Sequence, residues 1–472
     1  MRQDFWTLGA ADLTAAYRDG RADPVAVVEE LTARIAALNP VLNAYVALAE
    51  DLPEQARASQ RRWQAGKPLS PLDGVPVAIK DNLHVAGMRT AWGGHTFDTV
   101  AGADELPVAR LRAAGAILVG KTNTPEFAVE GYTANARFGV TRNPWDPALT
   151  PGGSSGGSVA AVAAGLATLA IGTDGGGSTR RPAGHTGLYG LKPSIGRIAR
   201  GGGLPQILLD FEVIGTFARD CADLDLLYRV LAGADRGDPA SRALPAVPDS
   251  AEGLRILSVP LLGEKPCDAE ILTAHRALAD RLSGLGHHVS EGPLPIDLDP
   301  VGAFWGSFGQ IGLAALRDRL PEMAAKAGPL YLQMAEAGAA LPAPALFNAI
   351  EAVRALRSAM SQLFAQWDVI LMPTAAAQPW PAEKTHPETI AGTPVGPRGH
   401  AIYTGWVNAS GHPGLAVPAG FDRAGLPIGC QLIGDLGGED RLIRLAGALE
   451  RRGPGWRWPA LCTASGKGVE VE

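Results

Sequence analysis

Apolar residues recur with two different spacings along the chain, and each spacing predicts a different kind of element. Near the N-terminus Val28, Leu31 and Ile35 lie three or four residues apart behind an Asp-Pro pair, which predicts an amphipathic helix over 23–38. From about residue 70 onward, short apolar runs alternate with helical or glycine-rich segments. Such runs are typical of buried strands, and their alternation with helices indicates an α/β fold.

Seven apolar runs carry the strand prediction. They are VPVAIK (75–80), AILVG (116–120), LATLAIG (166–172), LRILSVP (254–260), WDVILMPT (367–374), LAVPAG (415–420) and PIGCQLIG (427–434). Much of 268–366 has helical spacing, whereas 235–250 is rich in Pro, Ala and Asp and is predicted to be a surface connection. A Pro- and Gly-rich loop is expected over 377–400, and a disordered tail over 463–472.

Composition and charge exclude several classes of function. The 472 residues are 46% hydrophobic and 19% charged, and the formal net charge is −6. Nucleic-acid and membrane-surface binders depend on clustered Lys and Arg, so we expect neither partner. The longest mostly apolar run, 159–171, is shorter than the roughly 20 residues that cross a bilayer. Four well-separated cysteines and an N-terminus without an apolar stretch predict a cytoplasmic protein without a disulfide framework or a metal site.

Two glycine-bracketed serine clusters are the most informative motifs. PGGSSGGS occupies 151–158, and IGTDGGGSTRRP occupies 171–182. Flexible linkers can have this composition, but a helix-like apolar segment directly follows the first cluster and a strand-like run directly precedes the second. Consecutive glycines let backbone N–H groups converge on one cavity, as an oxyanion hole requires. Ser178, at the end of the second glycine run, is therefore a candidate nucleophile.

Two other pattern matches compete with this interpretation. GAILVGKT (115–122) fits a phosphate-binding loop, but such a loop follows a strand and opens a helix, whereas AILV is itself strand-like. GGSSG (152–156) and GSSGG (153–157) fit a nucleophile elbow centred on Ser154 or Ser155. An elbow needs a strand before the serine, and here a proline-rich loop precedes it. We therefore favour neither a nucleotide site nor an α/β-hydrolase triad.

Lys80 is a candidate general base. It ends the run VPVAIK, where a strand would carry its ammonium group into the interior. A serine hydroxyl needs a base, and a lysine can serve when its amine is neutral. Neutrality near pH 7 to 8 requires a pKa lowered from about 10.4, which burial or neighbouring cations can achieve. An ordinary strand-end lysine remains open on the residues alone.

Taken together, the motifs resemble the amidase signature family. The matching segments are LDGVPVAIKDN (72–82), GKTNTPEFA (120–128), FGVTRNPWDP (138–147), PGGSSGGSVAAVAAG (151–165), GTDGGGSTRRPAGHTGLYGLKPS (172–194) and GHPGLAVPAG…GLPIGCQLIG (411–434). The resemblance implies a single α/β/α domain over 1–462, with a large mixed β-sheet covered by helices. Its expected parts are an N-terminal helical arm (1–60), a signature core (70–234), a variable and largely helical substrate-side region (235–366) and the C-terminal part of the core (367–462).

The resemblance also implies a Ser–cis-Ser–Lys triad. By motif position, Ser178 is the nucleophile, Ser154 is the cis-serine that relays the proton, and Lys80 is the base. The oxyanion hole is expected to be formed by the N–H groups of Gly175, Gly176, Gly177 and Ser178. The implied chemistry is acyl transfer from an amide to water through an acyl-enzyme, and it needs no cofactor or metal.

The predicted substrate-binding residues are Gly131, Tyr132, Arg180, Arg181, Trp305 and Trp406. Members of the family often carry one arginine shortly after the nucleophile, whereas this chain carries two, at 180 and 181. On the residues alone, the pair forms a structural salt bridge or one arginine receives a substrate carboxylate. The aromatic residues suit an aryl substrate if they line the site.

The family resemblance leaves two functions open. The first is a free amidohydrolase for a small amide, with aryl and aliphatic amides, esters, ureas and carbamates (urethanes) as candidate substrates. The alternative is the glutaminase subunit of a tRNA-dependent amidotransferase, in which Met-Asp-Glu-Phe usually stands where this chain has Thr-Pro-Glu-Phe at 124–127. The sequence favours the free enzyme, and it leaves a homodimer open.

Overall fold

The computed structural model describes residues 4–463, except 243, 245, 246 and 248. Most of the predicted tail, 464–472, lies outside the described residues, and Thr463 belongs to the last helix.

The strands of the described residues form one large sheet and three two-stranded ribbons. In chain order they are β1 (Tyr45–Leu48), β2 (Pro76–Lys80), β3 (Arg89–Thr90), β4 (Thr99–Val100), β5 (Ile117–Thr122), β6 (Ala134–Asn135), β7 (Gly139–Val140), β8 (Leu169–Asp174), β9 (Tyr189–Lys192), β10 (Val213–Ala218), β11 (Arg255–Ser258), β12 (His288–Glu291), β13 (Val369–Pro373), β14 (Thr389–Ile390), β15 (Thr393–Pro394), β16 (Gly414–Phe421) and β17 (Pro427–Gly434).

Across the described chain, the large sheet has eleven strands in the order β1-β5-β2-β8-β10-β9-β16-β17-β13-β11-β12. Strand β2 runs parallel to β5 and β8, and β11 runs parallel to β12 and β13. The other neighbouring strands are antiparallel. The sheet is therefore mixed, and the predicted α/β fold with a large mixed sheet is confirmed.

The α-helices of the described residues cover this sheet and fill the segments between its strands. In chain order they are α1 (Ala10–Arg18), α2 (Pro24–Leu42), α3 (Leu52–Gln64), α4 (Leu106–Ala113), α5 (Gly156–Ala163), α6 (Arg180–Thr186), α7 (Cys221–Leu231), α8 (Ala269–Gly284), α9 (Asp299–Arg319), α10 (Met323–Lys326), α11 (Pro329–Ala339), α12 (Ala343–Leu363), α13 (Gly405–Ser410), α14 (Glu439–Glu450) and α15 (Ala460–Thr463).

The alternation of side chains along the strands divides the core into two layers. Val77 and Ile79 of β2 belong to one apolar cluster, whereas Ala78, which lies between them, belongs to another. The first cluster includes residues of α4, α7 and α8, and the second includes residues of α2 and α5. Successive strand residues point to opposite faces, so both faces of the sheet are covered by helices.

Helix α2 begins where the sequence predicts it. The Asp23 side chain accepts hydrogen bonds from the N–H groups of Val25 and Ala26 at 2.9 and 3.1 Å, and Pro24 occupies the first helical position. The helix continues to Leu42, beyond the predicted end at 38, with Pro40 inside its last turn. Packing therefore extends an element that the apolar pattern alone ended one turn earlier.

Four strands of the sheet were not predicted, namely β1, β9, β10 and β12. Strand β1 lies in the expected N-terminal helical arm, and β12 lies in the expected helical region. Both end the sheet, and both contain several residues that are exposed or half-buried. An edge strand can form without an apolar run, because the neighbouring strand supplies its hydrogen bonds. The apolar pattern therefore cannot reveal β12 (HVSE), whereas β1 (YVAL) and the buried β10 (VIGTFA) are short apolar runs that the prediction missed.

The topology brings two predicted catalytic segments to one edge of the sheet. Strands β2 and β8 are parallel neighbours, so their carboxyl ends, at Lys80 and Asp174, meet at the same edge. The second serine cluster continues directly from β8. The first serine cluster leads into α5, which packs against β2 and β8.

Candidate active site

Lys80 lies fully buried at the end of β2 and donates to two hydroxyl groups. Its Nζ is 2.7 Å from Ser154 Oγ and 3.0 Å from Thr173 Oγ1. Asn82 Nδ2 donates to the same Thr173 oxygen at 2.8 Å. The ion pairs of the described residues do not include Lys80, although Lys121 on the neighbouring strand pairs with Asp81 at 3.2 Å.

The surroundings of Lys80 favour its neutral form. Burial is the main cause of the change and lowers the pKa of Lys80 from 10.5 to about 7. The carboxylates of Glu212 and Asp174 oppose this decrease, and the guanidinium of Arg200 adds to it. A substantial fraction of Lys80 is therefore neutral at pH 7, as a base must be.

The loop that carries Ser154 is held against the rest of the site by short contacts. The peptide bond between Gly153 and Ser154 is cis, as the resemblance implies. Thr133 Oγ1 donates to the carbonyl of Gly152 at 2.9 Å and accepts from the N–H of Gly156 at 3.1 Å. Ser155 Oγ donates to the carbonyl of Thr173 at 3.2 Å, which ties this loop to the end of β8.

The loop that carries Ser178 is shaped by the carboxylate of Asp174. Asp174 accepts from the N–H of Gly177 at 2.6 Å and from the N–H of Thr179 at 3.0 Å. Gly177 has φ +114°, and a Cβ there would collide with the Thr404 side chain. Only glycine therefore fits this position without strain. Ser178 is 6% exposed, and its side chain forms no hydrogen bond with the described residues.

The structure differs from the predicted oxyanion hole at Gly177. Its N–H donates to Asp174 and is not available to an oxyanion in this conformation. Within the described part of the chain, the N–H groups of Gly175, Gly176 and Ser178 have no acceptor. The motif alone could not show which of these N–H groups is free, because the Gly177 N–H is occupied only if the Asp174 side chain points toward it.

Arg180 lies behind this loop in a fully buried polar network. Its guanidinium donates to both carboxylate oxygens of Asp174 at 3.1 Å, to Gln431 Oε1 at 2.9 Å and to Asn408 Oδ1 at 2.6 Å. Burial alone raises the pKa of a carboxyl group. At Asp174 burial is the largest single effect, but the charge and hydrogen bonds of Arg180, together with Lys192 and Asn408, outweigh it and hold the pKa well below its usual range. Arg180 therefore fixes the carboxylate that orients the Ser178 loop.

We expect Arg180→Met to lower the free energy of unfolding by about 3 to 5 kcal/mol, because it leaves the buried Asp174 carboxylate without its counter-charge. Urea unfolding followed by circular dichroism measures this loss. Arg229→Met provides a control, since Arg229 pairs with Asp225 at the surface, where a pair contributes at most about 1 kcal/mol. Equal effects of the two substitutions would contradict the structural role of Arg180.

A cavity of about 230 Å³ opens in front of Ser178. It lies between the loop after β8, the segment before β6, helices α9 and α11, and the segment that precedes α13. Its lining residues are Ala128, Val129, Glu130, Gly131, Gly175, Gly176, Ser178, Arg181, Leu208, Trp305, Gly306, Gly309, Gln310, Met334, Pro397, Arg398, His400 and Ala401. The lining is mostly apolar or glycine, with a few charged groups, which is the usual composition of a small-molecule site.

The structure brings some of the predicted substrate-binding residues to this cavity and leaves others outside its lining. Gly131, Arg181 and Trp305 line it, whereas Tyr132, Arg180 and Trp406 do not. Tyr132 instead supports the cis-serine loop, because a Cβ at Gly153 would collide with its backbone.

Several residues of the site could not be found from the sequence. Thr173 shares the Lys80 ammonium group with Ser154, and Thr404 donates to the carbonyl of Gly176 at 2.8 Å. Glu130, Arg398 and His400 line the cavity. None of these residues belongs to a pattern with its own chemical meaning, although Thr173 lies within the matched segment that contains Ser178.

The described residues provide neither a metal-binding cluster nor a membrane-spanning helix. No group of three or more His, Cys, Asp or Glu side chains is arranged to hold a metal ion in this part of the chain. Among the helices that the structure describes, none has both the length and the apolar character needed to cross a bilayer.

Comparison with known proteins gives a consistent result. The family model described as Amidase matches residues 26–443. One subunit of the glutamyl-tRNA(Gln) amidotransferase of Deinococcus radiodurans is 34% identical, over 94% of this chain and 97% of that protein.

Solved structures of similar fold include amide-cleaving enzymes. A bacterial aryl acylamidase of the amidase signature family has a TM-score of 0.88 and 28% identity, covering 98% of this chain and 99% of that one. The 6-aminohexanoate cyclic dimer hydrolase, solved with its substrate, has a TM-score of 0.85 and 28% identity, covering 98% and 100% of the two chains.

Proposed function

This chain belongs to the amidase signature family, and from that premise we propose that it is an amidohydrolase that cleaves the C–N bond of a small amide through an acyl-enzyme on Ser178. The observation that carries this proposal is the 2.7 Å hydrogen bond between Lys80 Nζ and Ser154 Oγ. It joins a buried amine of lowered pKa to the hydroxyl of a serine loop beside the cavity.

In the proposed acylation step, neutral Lys80 takes the proton of Ser154 Oγ while Ser154 takes the proton of Ser178 Oγ. The Ser178 oxygen then attacks the amide carbonyl carbon. The N–H groups of Gly176 and Ser178 stabilise the oxyanion, with Gly175 as a third donor, and each such donor contributes about 3 to 4 kcal/mol in comparable enzymes.

Collapse of the tetrahedral intermediate breaks the C–N bond. The amine leaves with a proton that returns from Lys80 through Ser154, and the acyl group remains on Ser178. Water then attacks the ester carbonyl, and its proton follows the same path to Lys80. The bond between the acyl carbon and Ser178 Oγ breaks, Ser178 Oγ takes the proton back through Ser154, and the acid is released. Every proton that Lys80 takes up in acylation or deacylation is returned within that step, so the cycle restores the starting enzyme.

The size and lining of the cavity favour amides whose acyl group is a short aryl or aliphatic group. Leu208, Val129 and Met334 provide apolar walls, and Trp305 provides an aromatic one. Esters, ureas and carbamates carry a carbonyl of the same geometry and belong to the same proposal. The four cysteines are buried free thiols, which supports a reducing, cytoplasmic compartment.

A substrate screen tests the proposal. Purified enzyme is incubated with p-nitroanilides of acetate, butyrate and benzoate, with simple primary amides, and with a matched ester, urea and carbamate. Hydrolysis of the amides, urea and carbamate is measured as released amine, and hydrolysis of the ester is measured as released p-nitrophenol. We expect turnover of at least one amide well above the rate of Ser178→Ala. Wild-type rates equal to those of this variant across the panel would overturn the proposal.

The glutaminase subunit of an amidotransferase is the second candidate, favoured by the 34% identity to a component of such an enzyme. The segment 124–127 favours the free hydrolase, because it differs from the sequence usual in that subunit. Copurification from the native source, followed by a glutaminase assay with and without the accompanying proteins, separates the two. Glutaminase activity that appears only with partner proteins would establish the second candidate.

The rate of hydrolysis is expected to rise with pH around 7. Lys80 must be neutral to accept a proton, and burial holds its pKa at about 7, so protonation below that pH removes the base. The kcat/KM of a p-nitroanilide, measured from pH 5.5 to 9, should show an acid limb with a midpoint near pH 7. A constant kcat/KM over this range, with the enzyme stable throughout, would contradict the role of Lys80.

A further inference from the structure

The two arginines that follow Ser178 have different electrostatic surroundings. Arg180 is paired with Asp174 at 3.1 Å, whereas the ion pairs of the described residues do not include Arg181. Arg181 is 5% exposed, and its hydrogen-bond acceptors are neutral: the carbonyls of Gly176 and Gly153 and the hydroxyl of Thr404. Its Nε–H group is buried without an acceptor among the described residues.

A buried guanidinium without a counter-ion is costly, because carbonyl dipoles replace only part of the lost hydration. Burial is the main cause that lowers the pKa of Arg181 to about 10; Asp174 opposes this decrease, and Arg180 and Arg398 add to it. The group nevertheless keeps its charge at neutral pH. Arg181 therefore places a positive charge at the wall of the cavity, and no carboxylate of the described residues pairs with it.

His400 stands beside Arg181 and is also without partners in the described part of the chain. It is 2% exposed, and neither ring nitrogen has a hydrogen bond there. Burial is the main cause that keeps the pKa of His400 well below its usual range, and the nearby Arg181 charge adds to it. A neutral imidazole still carries one N–H donor. This ring therefore has an unused donor at the cavity wall.

Gly131 marks the place where these two side chains meet. A Cβ at Gly131 would collide with His400 Nε2 and would lie 3.6 Å from Arg181 Nη2. Both nitrogens therefore face the same glycine, and all three residues line the cavity together with Ser178. Arg181 follows Ser178 by three residues, in the first turn of α6, and both residues line the same cavity.

The other charged groups of the cavity do not neutralise the positive charge of Arg181. Glu130 is the carboxylate of the lining, and Arg398 is the other cation. Burial raises the pKa of Glu130 and Arg398 lowers it, so these two groups interact with each other. Arg398 lies at the exposed rim near Gly306, on α9. The Glu130 and Arg398 charges offset, and Arg181 leaves the cavity with a net positive charge.

We propose that Arg181 and His400 form a binding site for a carboxylate of the substrate, so that the preferred substrates are amides that carry a free carboxylate near the scissile bond. The fork of N–H groups on a guanidinium matches the oxygens of a carboxylate, and burial strengthens the interaction. This proposal rests on the proposed function. It adds that the acid or the amine released by hydrolysis carries a second carboxylate.

Binding to an inactive enzyme tests the site separately from turnover. Ser178→Ala is titrated by calorimetry with two ligand pairs: the mono-p-nitroanilide of glutaric acid against its methyl ester, and p-acetamidobenzoate against its methyl ester. The first pair places the carboxylate on the acid and the second places it on the amine. We expect the free carboxylate of one pair to bind about tenfold or more tightly than its ester.

Adding Arg181→Met to Ser178→Ala should abolish this preference, and adding Arg181→Lys should retain part of it. Arg354→Gln is the matched control, since it removes an exposed arginine of α12 that does not line the cavity, and it should change the preference less than about threefold. Melting temperatures show whether each variant folds. If Arg181→Met does not fold, Arg181→Lys still tests whether the preference depends on Arg181.

Equal affinity for acid and ester in both pairs would overturn the site. A preference that Arg181→Met retains in full would also overturn it, as would one that Arg181→Lys leaves undiminished. Failure of the proposed function has a different signature, because the wild-type enzyme would then hydrolyse no amide of the panel whatever these titrations show.

Discussion

Replacing Ser178 with alanine is expected to lower kcat for any amide substrate by about 10⁴-fold or more, with the fold intact. In the proposed mechanism the change removes the oxygen that forms the acyl bond. Ser178 Oγ forms no hydrogen bond with the described residues, and the residue lines a cavity, so its loss leaves little packing to repair. Initial rates with a p-nitroanilide, together with a melting curve, measure both parts of this expectation.

Ser283→Ala is the matched control for Ser178→Ala. Ser283 lies on α8, donates only to the carbonyl of Ala279 and is not part of the site. Its substitution should leave kcat within about twofold, as expected of a surface change away from the site. Near-normal activity of Ser178→Ala would show that another residue is the nucleophile.

Replacing Lys80 with methionine should abolish hydrolysis to a similar extent without destabilising the protein. Lys80 and Lys121 are both fully buried and lie on neighbouring parallel strands, yet their partners differ. Lys80 donates to two hydroxyl groups, whereas Lys121 pairs with the carboxylate of Asp81. A methionine at 80 removes a costly buried amine and exposes no unpaired charge, so we expect a stability within about 1 kcal/mol of the wild type.

Lys121→Met serves as the comparison, and its expected effects are the reverse. It leaves the buried Asp81 carboxylate without its cationic partner, which should lower the free energy of unfolding by about 3 to 5 kcal/mol. At temperatures where the variant remains folded, its kcat should exceed that of Lys80→Met by at least about 10³-fold. Urea unfolding and initial rates on both variants show whether Lys80 acts in catalysis or in stabilising the fold. A Lys80→Met enzyme that unfolds like Lys121→Met while retaining activity would make Lys80 a structural residue.

Most central strands of the fold could be predicted because their sequence pattern and their environment agree, although β9 and β10, which are also buried inside the sheet, were not predicted. Strands β2, β8, β13 and β17 lie inside the sheet and are buried along their whole length, which gives the continuous apolar runs seen in the sequence. Strands β1 and β12 lie at the two edges, where one side of the strand faces no neighbour. Their residues then need not be apolar, and β12 (HVSE) carried no apolar signal, whereas β1 (YVAL) is a short apolar run that follows a helical segment.

The positions of the candidate catalytic residues followed from the motifs, but their supporting contacts did not. Lys80, Ser154 and Ser178 lie in short segments of unusual composition. Thr404 and Asn408, which hold the carbonyl of Gly176 and the carboxylate of Asp174, come from a helix and its preceding residue more than 200 positions later. A contact that depends on how distant segments pack cannot be read from local spacing.

The paired arginines illustrate the same limit at two neighbouring positions. In the sequence, Arg180 and Arg181 were equal candidates for a salt bridge or for a substrate carboxylate. The first helical turn after Ser178 points Arg180 at Asp174 and places Arg181 at the cavity. Residues adjacent on a helix point about 100° apart, so one arginine stabilises the loop while the other reaches the substrate side.

Mass spectrometry of the acyl-enzyme tests the central claim most directly. The wild-type protein is mixed with a p-nitrophenyl ester, quenched in acid within seconds, and digested. We expect the peptide that contains Ser178 to gain one acyl group less one hydrogen, and Ser178→Ala to gain none. An acyl group found on Ser154 or on another residue, with Ser178 unmodified during active turnover, would contradict the account.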